Sequence, residues 1–281
     1  MTSSTTRRNY SSFWDAVGRE HEVCALRLKV SGRSWPTIRY RGSVGAVPFL
    51  LASSITTVAK KPQSAILSVV AIVSLGSTLD ATRCTCSQEI NQTMVTDHDI
   101  ELAQHRITGH VRRTPTMSTA AGELGVGHDL TLKLECLQHT GSFKPRGAFN
   151  LALASEIPRS GLIAASGGNH GVAVAYVARQ LGHHAEIFVP AISPKIKVDR
   201  IAALGAELHI GGTVYAEAQA ACDIRQSETG ALTLHTYDAV ETVAGQATCG
   251  RELQAQHPEI DTVVVAVGGG GLAAGFAAAY R

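Results

Sequence analysis

The pattern of hydrophobic and polar positions changes character about a third of the way along the 281-residue chain. Over residues 1–93, Ser, Thr and Arg are scattered irregularly around two apolar stretches, 46–59 and 65–79, split by Lys60, Lys61 and Pro62. Each stretch is shorter than the roughly 20 residues a spanning helix needs. Both also begin too far from the amino terminus to read as a secretory leader. This segment is expected to be an N-terminal extension of uncertain structure. From Met94 the run MVTDHDIELAQHRI offers Thr96 as an N-cap, an acidic first turn and apolar residues at helical spacing. Met94 therefore reads as the natural start. Beyond it, short apolar runs predict strands over 130–134, 161–165, 185–189, 207–210, 232–235 and 262–267. Helical spacing fills the intervals, over 171–181, 196–204, 213–228 and 245–256. Such alternation is the rhythm of a parallel sheet covered by helices, so the expected class is α/β.

Composition narrows the partners. Hydrophobic residues make up 44% of the chain, enough for a sizeable core. Charged residues make up 17%, the net charge is +2 and no run of Lys or Arg stands out, so no nucleic-acid footprint is expected. Small molecules are the expected partners. Cysteines stand at 24, 84, 86, 136, 222 and 249, without the paired spacing of a zinc site or the density of a disulfide scaffold. That usage suits a reducing cytoplasm. Cys84 and Cys86 with His98 form a single C-x-C, and no metal site is expected from it.

Three blocks carry chemistry. In KLECLQHTGSFKPRGAFN (133–150), Lys144 follows a predicted strand and a Thr-Gly-Ser turn and precedes a helix. A mid-chain lysine is usually a solvated charge. Between Phe143 and Pro145-Arg146-Gly147, however, its ammonium can be desolvated and its pKa lowered toward a nucleophilic amine. In AASGGNHGVAVAY (164–176), a small-residue turn aims backbone N–H groups and a helix N-terminus at whatever lies above it, an arrangement suited to a carboxylate. A tight connection with Asn169 as a cap explains the same backbone equally well. In DTVVVAVGGGGLAAG (261–275), an apolar strand runs into four glycines and a helical start, a phosphate-loop signal. Gly268, Gly270 and Ala273 also satisfy G-x-G-x-x-A, so a dinucleotide loop stays open at this point.

Taken together, the order and spacing of the three blocks resemble the fold-type-II pyridoxal-phosphate enzymes, the tryptophan synthase β-like fold. The closest likeness is to the serine/threonine dehydratase and serine racemase branch, over about 97–281. The resemblance implies two open parallel-sheet α/β domains: a large one from 94–160 and 239–281, and a small one from 161–238. It makes Lys144, in Ser142-Phe143-Lys144-Pro145-Arg146-Gly147-Ala148, the catalytic lysine that forms a Schiff base with pyridoxal 5'-phosphate, with Phe143 beside it. It gives Asn169 a hydrogen bond to the cofactor's 3′-oxygen. Gly268, Gly269, Gly270, Gly271 and Leu272 would cradle the phosphate. Ser166, Gly168, Asn169 and His170 would bind the substrate, a small amino acid.

Within that family a racemase needs an acid on the cofactor face opposite the lysine. In the racemases a serine one residue after the position of Ser166 serves; here Gly167 has no side chain to give a proton. The resemblance thus implies a threonine/serine dehydratase that releases 2-oxobutanoate or pyruvate with ammonia. A serine racemase-like enzyme and a non-catalytic fragment or interaction module are the alternatives. It also implies a homodimer and no membrane association. The family pattern continues past the glycine loop with further strands of the large domain and a Ser or Cys for the ring nitrogen. With the C-terminal part of that domain missing, weak or no turnover is expected of this chain.

Overall fold

In chain order the first three elements are short strands from the segment expected to be an extension: β1 (Ala25–Lys29), β2 (Thr56–Ala59) and β3 (Val69–Val70). The last two fall in the two apolar stretches noted above. The computed structural model describes residues 25–29, 56–59, 69–70, 95–124, 129–260 and 262–281. Met94, Cys24, Cys84, Cys86, the rest of 1–93 and Asp261 lie outside the described residues.

Helix α1 (Asp97–Ile107) begins where its cap requires. Thr96 accepts from the Asp99 amide, and Asp99 returns a bond to the Thr96 amide, so two otherwise orphaned donors are met reciprocally. Next come β4 (Thr116–Thr119) and β5 (Leu130–Lys133), then two 3-10 turns, Glu135–Leu137 and His139–Gly141. Helix α2 (Lys144–Ala154) starts with Pro145 in its first turn, where a missing N–H costs nothing. The remainder alternates as expected: β6 (Leu162–Ala165), α3 (Asn169–Leu181), β7 (Ala185–Val189), α4 (Lys195–Ala203), β8 (Glu207–Ile210), α5 (Tyr215–Thr229), β9 (Leu232–Thr233), α6 (Val240–Gln256), β10 (Thr262–Ala266) and α7 (Gly271–Ala279).

Two sheets result. One has the order β8-β7-β6-β9, with every pair parallel. Its central strands β6 and β7 are buried along their whole length, as expected where helices cover both faces. The other runs β1-β10-β2-β5-β4, with β3 also paired to β10. This sheet is mixed: β3 pairs in parallel and the remaining neighbours pair antiparallel, because β10 and β5 take partners from upstream segments that run against them. Strand β4 was not anticipated. Its sequence, TMST, is short and largely polar, and its two middle residues are exposed.

Helices α2 and α6 pack at unusually short range. A Cβ on Gly245 would lie 2.6 Å from the Arg146 carbonyl oxygen, and one on Gly147 would lie 2.8 Å from the Thr242 carbonyl oxygen. Each helix therefore needs glycine where it crosses the other, although glycine inside a helix is otherwise unfavourable by about 1 kcal/mol. Gly245→Ala should destabilise the fold by about 1–3 kcal/mol through this backbone clash. Chemical denaturation followed by far-UV circular dichroism reads the difference.

Candidate active site

Lys144 is the first residue of α2, and a buried charge network fixes that helix start. Two residues on, the Arg146 guanidinium is fully buried. It donates through Nε and Nη2 to Glu135 at 2.8 and 2.9 Å, and through Nη1 and Nη2 to Glu252 at 2.8 Å each. Lys133, also fully buried, donates to Glu252, Gln256 and the Thr114 carbonyl at 2.8, 2.9 and 2.8 Å. Burial alone would raise the Glu135 pKa. The charge and hydrogen bonds of Arg146, helped by Lys133 and Thr114, outweigh it and hold the carboxylate below its usual range. Two cations thus face two anions, drawn from β5, the first 3-10 turn, α2 and α6.

Among the described residues Lys144 itself meets no carboxylate. Its amine donates to the Thr236 carbonyl at 2.9 Å and stands 5.0 Å from the ring centroid of Phe143, which is buried beneath it. Burial lowers its pKa from 10.5 to about 8. The sequence-based expectation of a desolvated amine agrees with this environment.

The second block opens α3. Gly168 is its N-cap, and Asn169, His170 and Gly171 form its first turn, whose amides have no helical acceptor. The Gly168 amide is spent on Ser166 Oγ at 3.2 Å, so the free donors begin at Asn169. His170 is buried, and its Nε2–H donates to the Leu234 carbonyl at 2.7 Å. Burial first, then the charge of Lys144, depresses its pKa to about 3. Its ring is therefore neutral and already committed, and can offer an anion only its backbone amide. Gly167 is required sterically: a Cβ there would fall 1.7 Å from Ser193 Oγ. The space a side chain at 167 would fill holds the Ser193 hydroxyl.

In the third block Gly268 and Gly269 are exposed, Gly270 turns at φ +87° and α7 starts at Gly271, so its first amides face outward over the loop. Leu272 is different. Its side chain is buried in the core with Cys249 and Phe276, leaving only its backbone for a ligand.

The segment 234–237 joins the three blocks, and sequence reasoning missed it. The Leu234 carbonyl takes His170, the Thr236 carbonyl takes Lys144, and the Tyr237 ring lies against Gly269, where a Cβ would come within 2.2 Å of it. Strand β9 ends at Thr233, short of the predicted 235, and so frees these carbonyls. No periodicity marks them, because carbonyls act here and side chains do not.

These features suit a phosphorylated aromatic aldehyde. There is a lysine amine of lowered pKa, a glycine loop opening a helix for the phosphate, and an Asn169 Nδ2 that donates to no protein group among the described residues. Thr140 Oγ1 and Ser142 Oγ, just before Lys144, are buried with no hydrogen-bond partner among the described residues. Thr140 also sits at φ +65°, a conformation that side chains other than glycine rarely adopt and that clusters at functional sites.

Comparison with known proteins decides the family. Residues 107–281 match the family described as pyridoxal-phosphate dependent enzyme. The chain belongs to that family. It is 38% identical over 190 residues to an L-threonine ammonia-lyase of Thermotoga maritima, covering 67% of this chain and 47% of that protein. It is 40% identical over 187 residues to a serine racemase of Oryza sativa subsp. indica, covering 66% and 55%. Among solved structures, maize serine racemase superposes with a TM-score of 0.62 at 35% identity, covering 66% of this chain and 57% of that one. A T.th. threonine deaminase gives 0.59 at 39%, covering 66% and 60%. This chain thus spans about half the length of the curated relatives it matches. Pyridoxal phosphate is the family's cofactor, and the fold is that of the fold-type-II enzymes. Among the described residues no helix is long and apolar enough to cross a membrane.

Replacing Arg146 by Met should strand Glu135 as a buried, unpaired carboxylate and cost about 3–5 kcal/mol of stability. Chemical denaturation near pH 7 measures it.

Proposed function

We propose that this chain carries the catalytic lysine and cofactor site of a threonine/serine ammonia-lyase, acting on L-threonine or L-serine to release 2-oxobutanoate or pyruvate with ammonia. The observation that carries this reading is Lys144: an amine whose pKa burial lowers to about 8, held by a carbonyl and joined through the 234–237 segment to a helix N-terminus and a glycine loop. In support, threonine ammonia-lyases and dehydratases recur among its relatives. Lys144 and Phe143, the Asn169 amide, and the loop of Gly268, Gly269, Gly270, Gly271 and the Leu272 backbone are the proposed cofactor contacts. The domain division at 94–160 with 239–281, against 161–238, and assembly as a homodimer in the cytoplasm belong to the same proposal.

When bound, the cofactor supplies an electron sink for the bond broken at Cα. The chain's own groups do the rest. The free amides at the start of α3, with Ser166, hold the substrate carboxylate, and the α3 dipole favours its charge. The Lys144 amine, neutral in a substantial fraction near pH 8, takes the Cα proton. The neutral His170 does not compete with it for that proton, because burial, with the charge of Lys144, depresses its pKa to about 3.

Racemisation stands as a second reading, favoured by one observation: the Ser193 hydroxyl fills the place of the missing side chain at 167. Formation of D-serine that disappears in Ser193→Ala supports it. Ammonia release from L-serine or L-threonine with no D-isomer supports the lyase.

Borohydride reduction after adding pyridoxal phosphate, followed by peptide mapping, should place the label on Lys144 and lose it in Lys144→Ala. An ordinary lysine has a pKa of about 10.4. Because burial depresses that of Lys144 and the neutral amine is the reactive form, labelling should rise with pH around a midpoint near 8. A midpoint above about 10 would mean a solvated lysine and would sink the proposal.

A further inference from the structure

Asn169 has an amide with two different ends, and which end faces the site decides what it can do. The Lys197 ammonium, reaching over from α4, donates to Asn169 Oδ1 at 2.6 Å. An ammonium has only donors, so the atom it meets must be the carbonyl oxygen and never the NH2. The Asn169 Nδ2 is thereby turned the other way, with no protein acceptor among the described residues. Lys197 is half-buried, and its ion-pairing options are few. Its helix neighbour Lys195 takes Asp199 at 2.7 Å, while Arg200, on the same face one turn on, adds a second positive charge. A cation kept without a carboxylate among the described residues, its one hydrogen bond there spent on a neutral amide, is poor as a stability device. The geometry makes sense if the charge acts through Asn169.

We infer that Lys197 is a positioning residue that fixes the orientation of the Asn169 amide, so that its NH2 is presented to an anionic oxygen on the cofactor ring. The inference rests on the proposed cofactor site and adds to it a residue on a different helix. Two effects follow. The amide can no longer flip to offer its oxygen, which would repel an anionic oxygen. Its N–H is also polarised by the ammonium on its other end, which strengthens the bond it donates. Removing the ammonium while keeping the stem should free the amide to turn. Arginine, another obligate donor, should hold it.

The test compares the unsubstituted chain with Lys197→Met and Lys197→Arg. In cofactor-free protein, the Asn169 side-chain NH2 resonances, assigned by their loss in Asn169→Ala, should move in Lys197→Met and return toward their original positions in Lys197→Arg. With pyridoxal phosphate, Lys197→Met should bind roughly ten-fold or more weakly, the usual scale for losing a hydrogen bond to a charged group. Its absorbance should also shift from the long-wavelength form of the bound cofactor toward the short-wavelength form, with Lys197→Arg restoring both. A merely structural lysine would leave the band position unchanged. Unchanged Asn169 resonances in Lys197→Met, or an unchanged affinity and band, overturn the inference. Borohydride labelling of Lys144 reports separately on the cofactor site itself, since Lys144 lies on another helix and the NMR arm needs no cofactor.

Discussion

Arg146 holds the structure's least negotiable position. A fully buried guanidinium forks onto two carboxylates, Glu135 and Glu252, and the second carboxylate is shared with buried Lys133. Separating charges inside a protein is so unfavourable that the four groups hold one another in place, and with them β5, the 3-10 turn, α2 and α6. Since α2 begins two residues before Arg146, the same network fixes where Lys144 emerges. The tight crossing of α2 and α6 at Gly147 and Gly245 is the steric counterpart: the helices must approach closely for Glu252 to reach Arg146.

Site assembly is then a matter of backbone carbonyls. The stretch from Leu234 to Tyr237 leaves the sheet at the end of β9, and its carbonyls no longer pair within the ladder. They take instead the His170 ring from one block and the Lys144 amine from another, while the Tyr237 ring closes on the glycine loop. Buried backbone carbonyls need donors, and here catalytic-type side chains supply them. This explains how three blocks well separated along the chain end up around one place.

Much of this was legible in the sequence where side-chain pattern carries the information. The apolar runs at β6, β7 and β10, the Thr96 cap, the glycine loop and the lysine block were all visible, because periodicity and residue type encode burial, capping and turn geometry. What escaped depends on three-dimensional placement. Polar β4 carries too little hydrophobic alternation to register. The short strands β1 to β3 lie in a segment without a clear repeat, and their places beside β10 and β5 are set by long-range pairing. The commitment of His170 to Leu234 was equally hidden, since a histidine beside an asparagine at a helix start looks like a ligand until its ring partner is known. Gly167 was read as a missing acid; that its Cβ would overlap the Ser193 hydroxyl is a fact about a loop further along the chain.

Two of the lysines, Lys133 and Lys144, show how environment, and not residue type, assigns their work. Lys133 is surrounded by Glu252, Gln256 and a carbonyl, so all three of its protons are met and its charge is balanced. Such a group is held in place by its partners and serves the structure. Lys144 lies one helix start away, over an aromatic ring, and is offered a single neutral carbonyl. Desolvation there has no anion to offset it, so the balance moves toward the free amine, the form that can attack a carbonyl carbon or take a proton. Exchanging the two environments would exchange the roles. The acidic partners Glu135 and Glu252 are spent on Arg146 and Lys133, and burial alone sets the Lys144 amine.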